Sequence, residues 1–260
     1  MFEHFKGEEV FVKKVLDYLD QVQYKQRLIL TQFLDPYHQS IVKSVIGHQD
    51  EVQVLENGGF IHSESQRMII APYFYEIEKE DFEIVVCKII YAKNFEKLTH
   101  RDILGALMSL EIKRELFGDI VEKDKDFYFE KDKDFYLAVD RHIYEYLKDH
   151  LSMIKRSKVK FVEWDEEIEI KNDYLIKSFI VSSFRLDKII SSFYKISRQK
   201  AAEFIRAGHV KVNHKPVEQI NYLCNNKDII SFKKHGRVMF VDCNKQTRSD
   251  NYVVEGYFYK

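Results

Sequence analysis

Residues 184–213 of this chain read FRLDKIISSFYKISRQKAAEFIRAGHVKVN, and this stretch decides the fold of the C-terminal third. Its apolar spacing predicts a short amphipathic helix over Phe184–Ile190. A second helix is predicted over Ser197–Gly208, because serine can cap the first free amides and glycine can end a helix. Alternating apolar residues then predict a strand over Val210–Asn213. Two short helices followed by a strand indicate one small module, with a further strand expected at Asp228–Phe232.

Basic residues are concentrated in this part of the chain. Residues 182–260 hold 15 Lys and Arg against 7 Asp and Glu, although the whole chain has 41 against 42. A basic C-terminal segment that follows an acidic remainder of the chain indicates that the C-terminal module binds a polyanion. The free amides that begin the second helix, with Arg198 and Lys200 in its first turn, are expected to bind phosphate. The cations of the module are expected to form one surface along an A-form RNA backbone.

These residues resemble the S-four-type RNA-binding domain, a family named after a ribosomal small-subunit protein. The matching text is Arg185-Leu186-Asp187, Ser197-Arg198 with Ala201, and Gly208-x-Val210-x-Val212-Asn213. The family usually has Gly-Asp where this chain has Lys227-Asp228, in a turn expected to lie away from the helices. In that family the two helices and the following strand form the RNA-binding face. The candidate RNA-binding residues are therefore Arg185, Lys188, Ser197, Arg198, Gln199, Lys200, Arg206, Lys211, Asn213, Lys215, Lys233 and Arg237.

Residues 1–75 are predicted to form helices and a small sheet. An apolar face at helical spacing is expected from Val10, Phe11, Val15, Leu16, Leu19 and Val22. A second helix is predicted to begin at Asp35-Pro36, because Asp35 can cap it and proline suits the first helical position. Strands are predicted at residues 52–55 and 68–71, around the turn Asn57-Gly58-Gly59.

Residues 76–173 show the pattern strand, helix, strand, strand, helix, strand, which predicts a ferredoxin-like βαββαβ domain. Its first strand is expected at Phe82–Tyr91, with Thr99 and Asp140 capping its two helices. Sheets that bind single-stranded RNA use this layout, but their central Gly-Phe-Gly/Ala-Phe signature is absent, so this domain is not predicted to bind RNA. The predicted class is α+β: these two parts, then the S-four-type module, with its αL motif and a C-terminal strand extension, over residues 182–260.

A seven-residue segment occurs twice inside the central domain. The sequence EKDKDFY covers Glu122–Tyr128 and recurs over Glu130–Tyr136. Two copies do not indicate a solenoid. Two interpretations stay open: a polar hairpin between the two central strands, or a duplication tolerated in a loop.

A wider resemblance covers almost the whole chain. Residues 98–108, Lys113-Arg114 and Gly118-Asp119-Ile120 are similar to the hallmark of the YlmH family, as are Asn57-Gly58-Gly59-Phe60 and Ser182–Asp187. The sequence departs from the family at residues 233–237, where Lys-Lys-His-Gly-Arg replaces the more usual Arg-Gly-Phe-Gly-Arg. A phenylalanine available for base stacking is thereby lost, whereas Arg237 keeps the final cation.

The resemblance implies a bacterial, cytoplasmic, ribosome-associated RNA-binding protein. Members of the family are linked to the rescue of stalled large subunits, with the module touching ribosomal RNA and transfer RNA. The expected partners are therefore large-subunit ribosomal RNA, transfer RNA and the ribosome. The alternative is a protein-interaction adaptor, for example one linked to cell division, that uses RNA binding only for localisation. Its working surface would include Tyr73, Phe74, Tyr75, Phe127 and Tyr128.

Catalysis is not predicted. The phosphate-loop, dinucleotide-binding, nucleophile-elbow and metalloprotease motifs do not occur. Arg185-Leu186-Asp187 is similar to the Arg-Leu-Asp of pseudouridine synthases, but too few residues follow for their large catalytic domain. Asp187 is instead expected in the first turn of a helix. An RNA-modifying enzyme is the least favoured of the three functional hypotheses.

Cofactors, metal ions and membrane spans are not predicted either. The three cysteines are far apart and no Cys-x-x-Cys occurs, which argues against disulfides and zinc ribbons. Residues 84–90 form the most apolar run, which is too short and too charged to span a bilayer. These features indicate a reduced, soluble, cytoplasmic protein, expected to be a monomer.

Overall fold

The computed structural model describes residue 5 and residues 7–47, 49–94, 96–127 and 130–259, without the side chains of residues 124–132. The chain divides into two compact units, residues 1–170 and residues 171–260. The helices of the first unit are α1 (Glu9–Lys25), α2 (Pro36–Ile46), α3 (His100–Ser109) and α4 (Arg141–His150). Its strands are β1 (Ile29–Leu30), β2 (Val52–Asn57), β3 (Arg67–Pro72), β4 (Ile84–Tyr91), β5 (Phe117–Phe127), β6 (Glu130–Asp140), β7 (Met153–Ile154) and β8 (Ser157–Glu163).

The N-terminal region has the predicted helices and small sheet. Asp35 caps α2, because its Oδ1 accepts a hydrogen bond of 2.9 Å from the amide of His38. The helix ends at Gly47, whose φ of 63° is left-handed. α1 buries Val12, Val15, Leu19 and Val22 against α2 and the β1-β3-β2 sheet. The expected apolar face was wrong at Val10 and Leu16, which are 85% and 36% exposed, because the buried stripe passes through Val12 instead.

The central sheet confirms the predicted βαββαβ pattern. Its strand order is β5-β6-β4-β8-β7, and all of its neighbouring strands are antiparallel. α3 and α4 pack on one face of it, around Cys87, Leu107 and Leu147. Thr99 and Asp140 cap these helices as predicted. The first strand begins at Ile84 rather than Phe82, because residues 79–82 form a 3₁₀ turn.

The duplicated segment lies in the long β5–β6 hairpin of this sheet. The backbone register places Lys123 opposite Asp134 and Asp124 opposite Lys133, so each copy faces the other across the ladder. Opposite charges in facing positions favour this register. Asp134 is buried and its carboxylate contacts Lys88 and Lys93, each at 2.6 Å. Of the two interpretations, the backbone agrees with the hairpin. Tyr128, the last residue of the first copy, lies outside the described residues.

The second face of the central sheet is covered in part by the N-terminal region. Phe33 and Phe60 pack there against Ala138 and Tyr136. Gly59 allows this approach, because a Cβ on it would lie 2.9 Å from Val86 Cγ2, and its φ of 86° is left-handed. This face is the one that single-strand RNA-binding sheets present to bases.

Several of the resemblance-bearing residues hold these two parts of the unit together. The carboxylate of Asp119 accepts hydrogen bonds from the backbone amides of Glu64 and Ser65. Arg67 and Asp140 form a buried ion pair of 3.0 Å. Burial raises the pKa of Asp119, although the two amides and Arg114 oppose this shift. The ranges predicted for separate domains, 1–75, 76–173 and 182–260, stay predictions.

The second unit is one six-stranded sheet with two helices. Its strands are β9 (Tyr174–Val181), β10 (Val210–Val212), β11 (Lys215–Pro216), β12 (Ile229–Phe232), β13 (Gly236–Gln246) and β14 (Tyr252–Tyr259), in the order β11-β10-β12-β13-β14-β9. The helices are α5 (Leu186–Tyr194) and α6 (Arg198–Arg206). Both helices, β10 and β12 lie close to their predicted positions. The strand β9, which pairs with β14 along its whole length, was not predicted from the sequence.

Candidate nucleic-acid interface

The entry of α6 is built as the sequence predicts. Ser197 Oγ accepts a hydrogen bond of 3.2 Å from the amide of Lys200, which caps the helix. The helix buries Ala201 and Ile205, and Gly208 follows it with a φ of 69°. Arg198, Gln199 and Lys200 therefore occupy the first turn, and all three are exposed. Arg206 is also exposed, but it lies at the other end of the helix.

A buried carboxylate organises this entry. Asp187, in the first turn of α5, is 2% exposed. Its Oδ1 accepts a hydrogen bond of 3.0 Å from Arg185 Nε, and its Oδ2 accepts one of 2.7 Å from Arg198 Nη2. Burial raises the pKa of Asp187, but the two arginines outweigh it and hold the pKa below its usual value. The three side chains therefore carry one net positive charge rather than two.

Arg198 and Lys188 meet at a concavity between the two helices and the end of β9. The concavity has a volume of about 240 Å³ and is lined by Ile180, Val181, Ser182, Lys188, Ser191, Ser192 and Arg198. Lys188 Nζ donates a hydrogen bond of 2.8 Å to Ser182 Oγ. The two cations and the hydroxyls of Ser182 and Ser192 are groups that can donate to a phosphate, whereas the Ser191 hydroxyl donates to the carbonyl of Ile196. The three serines were missed as site residues, and only their adjacency to the two helices in the sequence could have suggested them.

The expectation of a single basic surface was wrong, because Lys211 and Arg237 lie on the opposite face of the sheet. Val210 and Val212 on either side of Lys211 are buried among the residues of α5 and α6, so Lys211 points away from the helices. Arg237 faces Ser231, which in turn faces Lys211, across adjacent strands. Because side chains alternate between the two faces along a strand, these cations and the α5–α6 entry lie on opposite sides of the sheet.

Asn213 holds a turn of the module. Its Nδ2 donates a hydrogen bond of 2.8 Å to Asp228, and its Oδ1 accepts one of 2.8 Å from the amide of Ile229. Asp228 is buried and also accepts a hydrogen bond from the amide of Asn225. Lys215 pairs with Val212 at the β10–β11 edge, on the helix side of the sheet. Both polar atoms of the Asn213 amide are thus engaged within the fold.

The two departures from the family patterns have a common geometry. Lys227 and Lys234 both adopt left-handed backbone, with φ of 71° and 68°, at positions where the families more often have glycine. Lys233 and Lys234 are exposed at the β12–β13 hairpin. His235 replaces the family phenylalanine, and its ring stacks on Phe232 with centroids 4.0 Å apart. An aromatic ring therefore still occupies this position, and it packs against a buried core residue.

Two further features concern the described part of the chain, metal-ligand clusters and membrane-spanning helices. No group of three or more His, Cys, Asp and Glu side chains there is arranged to hold a metal ion. None of the described helices is both long enough and apolar enough to cross a lipid bilayer.

Comparison with known proteins agrees with this architecture. Family models match residues 7–74 ("YlmH, N-terminal"), residues 78–167 ("Putative RNA-binding domain in YlmH") and residues 184–230 ("S4 domain"). A Bacillus subtilis (strain 168) protein named "Ribosome-associated protein quality control protein P2" is 32% identical over 255 residues, which cover 98% of this chain and 96% of that protein. A solved structure, "Cell division protein ylmH from Streptococcus pneumoniae", matches with a TM-score of 0.50 and 28% identity, covering 64% of this chain and 96% of that one.

Fold, site and matched domains define the class: an S4-domain protein with two further matched domains upstream, one of which is a putative RNA-binding domain. Three matched domains and a relative that is 32% identical over nearly the full length show the family. The chain belongs to the YlmH family.

Proposed function

We propose that this chain is a noncatalytic RNA-binding protein that recognises structured ribosomal RNA of the large subunit, transfer RNA or both. In the cell it acts as a ribosome-associated factor in the quality control of stalled large subunits. The observation that carries the proposal is the concavity lined by Lys188, Arg198 and three serines. The name of the Bacillus subtilis relative supports the ribosomal setting.

The geometry favours a phosphate backbone over a small anion in bulk solution. Arg198 is held by Asp187, so its guanidinium is already oriented and loses little freedom on binding. Lys188 is held by Ser182 in the same way. Lys200 extends the positive surface along the exposed side of α6. Preorganised cations on one surface would track one strand of an A-form helix.

Salt dependence tests this mode of binding. If about five basic side chains meet phosphates, the logarithm of affinity falls with the logarithm of salt concentration at a slope of roughly −3 to −4. The double variant Lys188→Ala/Lys200→Ala should weaken binding to hairpin RNA and make the slope shallower by roughly 1.5. Lys245→Ala, an exposed lysine on β13, is the matched control and should leave the slope close to wild type. An unchanged slope in the double variant would contradict the proposal.

The noncatalytic assignment rests on the surroundings of Asp187. A nucleophilic aspartate must reach its substrate, whereas this carboxylate is 2% exposed and both of its oxygens accept hydrogen bonds from arginines. RNA modification maps from cells with and without the gene should therefore be identical. A base change that depends on the gene would support the RNA-modifying alternative instead.

We place the protein in the cytoplasm as a monomer without cofactors. Cys87, Cys224 and Cys243 are free thiols, which suits a reducing compartment. Burial raises the pKa of Cys87 and of Cys224 to about 12, so neither is a reactive thiolate at neutral pH.

One observation favours the second candidate function, a protein-interaction adaptor. Tyr73, Phe74 and Tyr75 follow β3 and are 65%, 55% and 39% exposed. Gln53 Nε2 donates hydrogen bonds to the carbonyls of Pro72 and Tyr75, which fixes this aromatic loop. The next residues, 76–83, hold five acidic side chains and one lysine, which disfavours RNA and suits a basic protein. Partners captured after ribonuclease treatment, and lost with Phe74→Ser, would support the adaptor; partners lost with the RNA would argue against it.

A further inference from the structure

The sheet of the second unit has an inner and an outer face. Its inner face carries Val210, Val212, Ile230, Phe232, Val238, Phe240 and Val254, which form one core with α5 and α6. Because side chains alternate along a strand, the residues between them point to the outer face. On that face Ile176 of the edge strand β9 is 51% exposed. The outer face is therefore an accessible surface distinct from the α5–α6 entry.

One row of residues across the outer face combines cations with tyrosines. The strand register aligns Lys211 with Ser231, Ser231 with Arg237, and Tyr259 with Tyr174. The Arg237 guanidinium lies over the Tyr259 ring, 4.7 Å from its centroid, which joins the two parts of the row. An arginine in this position shows that the tyrosine ring accepts a flat, delocalised group against it.

The tyrosines form a contiguous platform. Tyr174 contacts Tyr259 with centroids 4.9 Å apart and Tyr257 with centroids 5.7 Å apart, both edge to face. Each of the three rings is partly exposed. Glu255 lies beside the platform, and it accepts a hydrogen bond of 3.3 Å from Tyr257 Oη. The carboxylate is thus engaged with a tyrosine, while Lys211 and Arg237 keep the end of the row positive.

We propose that this platform, formed by Tyr174, Tyr257, Tyr259, Arg237 and Lys211, is a second RNA-binding site that takes unpaired nucleotides. Bases stack on the tyrosine rings, and the two cations contact the adjacent phosphates. Stacking on aromatic side chains is worth about 1–3 kcal/mol per base and tolerates any sequence. A duplex buries its base faces, so the platform discriminates in favour of single strands. The site goes beyond the proposed function, whose phosphate surface lies on the helix side.

Charge favours RNA over a second copy of the chain as the occupant. Two copies packed through this face would bring four cations, both pairs of Lys211 and Arg237, into one interface. Desolvating that excess of cations is costly, and lysine is depleted at the centres of protein interfaces. A phosphate backbone instead carries negative charge that complements these cations.

The test is fluorescence anisotropy of the full chain with a labelled single-stranded RNA of about eight nucleotides, within the site sizes of sheet-based binders. Tyr259→Ala and Tyr174→Ala should each weaken binding by on the order of ten-fold. Tyr259→Phe keeps the ring and should bind as wild type, and thermal melting should show that all variants fold. Binding of a blunt hairpin RNA should be unchanged by Tyr259→Ala.

The outcomes separate the two sites. If single-stranded RNA binding is the same in wild type, Tyr174→Ala and Tyr259→Ala, the inference is overturned while the helix-side site stands. A second outcome is that Lys188→Ala/Lys200→Ala leaves hairpin RNA binding unchanged while Tyr259→Ala weakens single-strand binding. In that case the helix-side proposal fails and this one stands. A dimer in sedimentation that Tyr259→Ala disrupts, with no effect on RNA, would assign the platform to a second copy and also overturn the inference.

Discussion

Asp187 and Arg198, eleven residues apart, join the first turns of α5 and α6 through a hydrogen bond of 2.7 Å between Oδ2 and Nη2. The carboxylate is buried, while the arginine side chain is 57% exposed. The contact therefore anchors one end of a guanidinium whose remaining donors face outward. It lowers the charge of the site and at the same time fixes the direction of its main cation.

We expect Asp187→Asn to weaken RNA binding even though it adds a positive charge to the module. The amide offers a poorer acceptor to the two arginines, so Arg198 loses its fixed orientation. The free energy of unfolding should fall by about 1–3 kcal/mol, measured by urea denaturation. Glu218→Gln, an exposed site with the same charge change, is the control. Tighter RNA binding by Asp187→Asn than by Glu218→Gln would show that net charge matters more than orientation.

The stabilising effect of Asp187 should depend on pH. Its pKa is held below its usual value, so its contribution is complete above the unfolded pKa of about 3.9 and is lost as pH falls through the lower folded pKa. The difference in unfolding free energy between wild type and Asp187→Asn should therefore be constant from pH 7 to about pH 5 and shrink in stronger acid. A difference that grows as the solution is acidified would contradict this assignment.

Replacing Lys227 or Lys234 with glycine should stabilise the protein. Both residues have left-handed φ, where a Cβ is unfavourable, and both side chains are exposed. Each substitution should raise the free energy of unfolding by about 0.5–1 kcal/mol. Lys233→Gly is the neighbouring control; Lys233 is not among the left-handed residues, so this change should be neutral or destabilising. Equal effects at Lys233 and Lys234 would disprove the explanation.

Gly59→Ala should disrupt the packing of the N-terminal region on the central sheet. The added Cβ would meet Val86, Ile84 and Ala138, and the left-handed φ adds strain. A loss of about 2 kcal/mol or more is expected in the free energy of unfolding. Gly105→Ala within α3 meets nothing within 4 Å and should instead stabilise by about 0.5–1 kcal/mol, the helix preference of alanine. If the Gly59→Ala protein were as stable as wild type, the side chains around Gly59 would have to shift at little cost in free energy, which would contradict this prediction.

Local signals predicted the helices and strands well. Caps such as Asp35 and Thr99 depend on neighbours three residues away, so their hydrogen bonds can be read from the sequence. The strand β9 was not predicted because its partner, β14, lies more than 70 residues downstream. No local turn in the sequence indicates that the two strands pair. The apolar face of α1 was misjudged at Val10 because a period alone does not say which stripe meets the core.

The candidate site shows the same limit. Arg198 and Lys188 were predicted, and the structure brings them together at one concavity. Asp187 was expected as a helix acid, but its hydrogen bonds to two arginines were not, since they depend on how α5 and α6 are placed. Lys211 and Arg237 were assigned to the same surface because their charge is visible in the sequence while the sheet face is not.

The sequence by itself determined the helix entry at Ser197, the basic character of residues 182–260 and the resemblance that the family matches confirm. Charge, helix caps and apolar periodicity depend on residues close together in the chain, so they can be recognised from the sequence alone. Only the tertiary structure decided that Asp187 holds Arg185 and Arg198, and that Lys211 and Arg237 lie with three tyrosines on the other side. These relations depend on strand register and helix packing, which join residues distant in the chain.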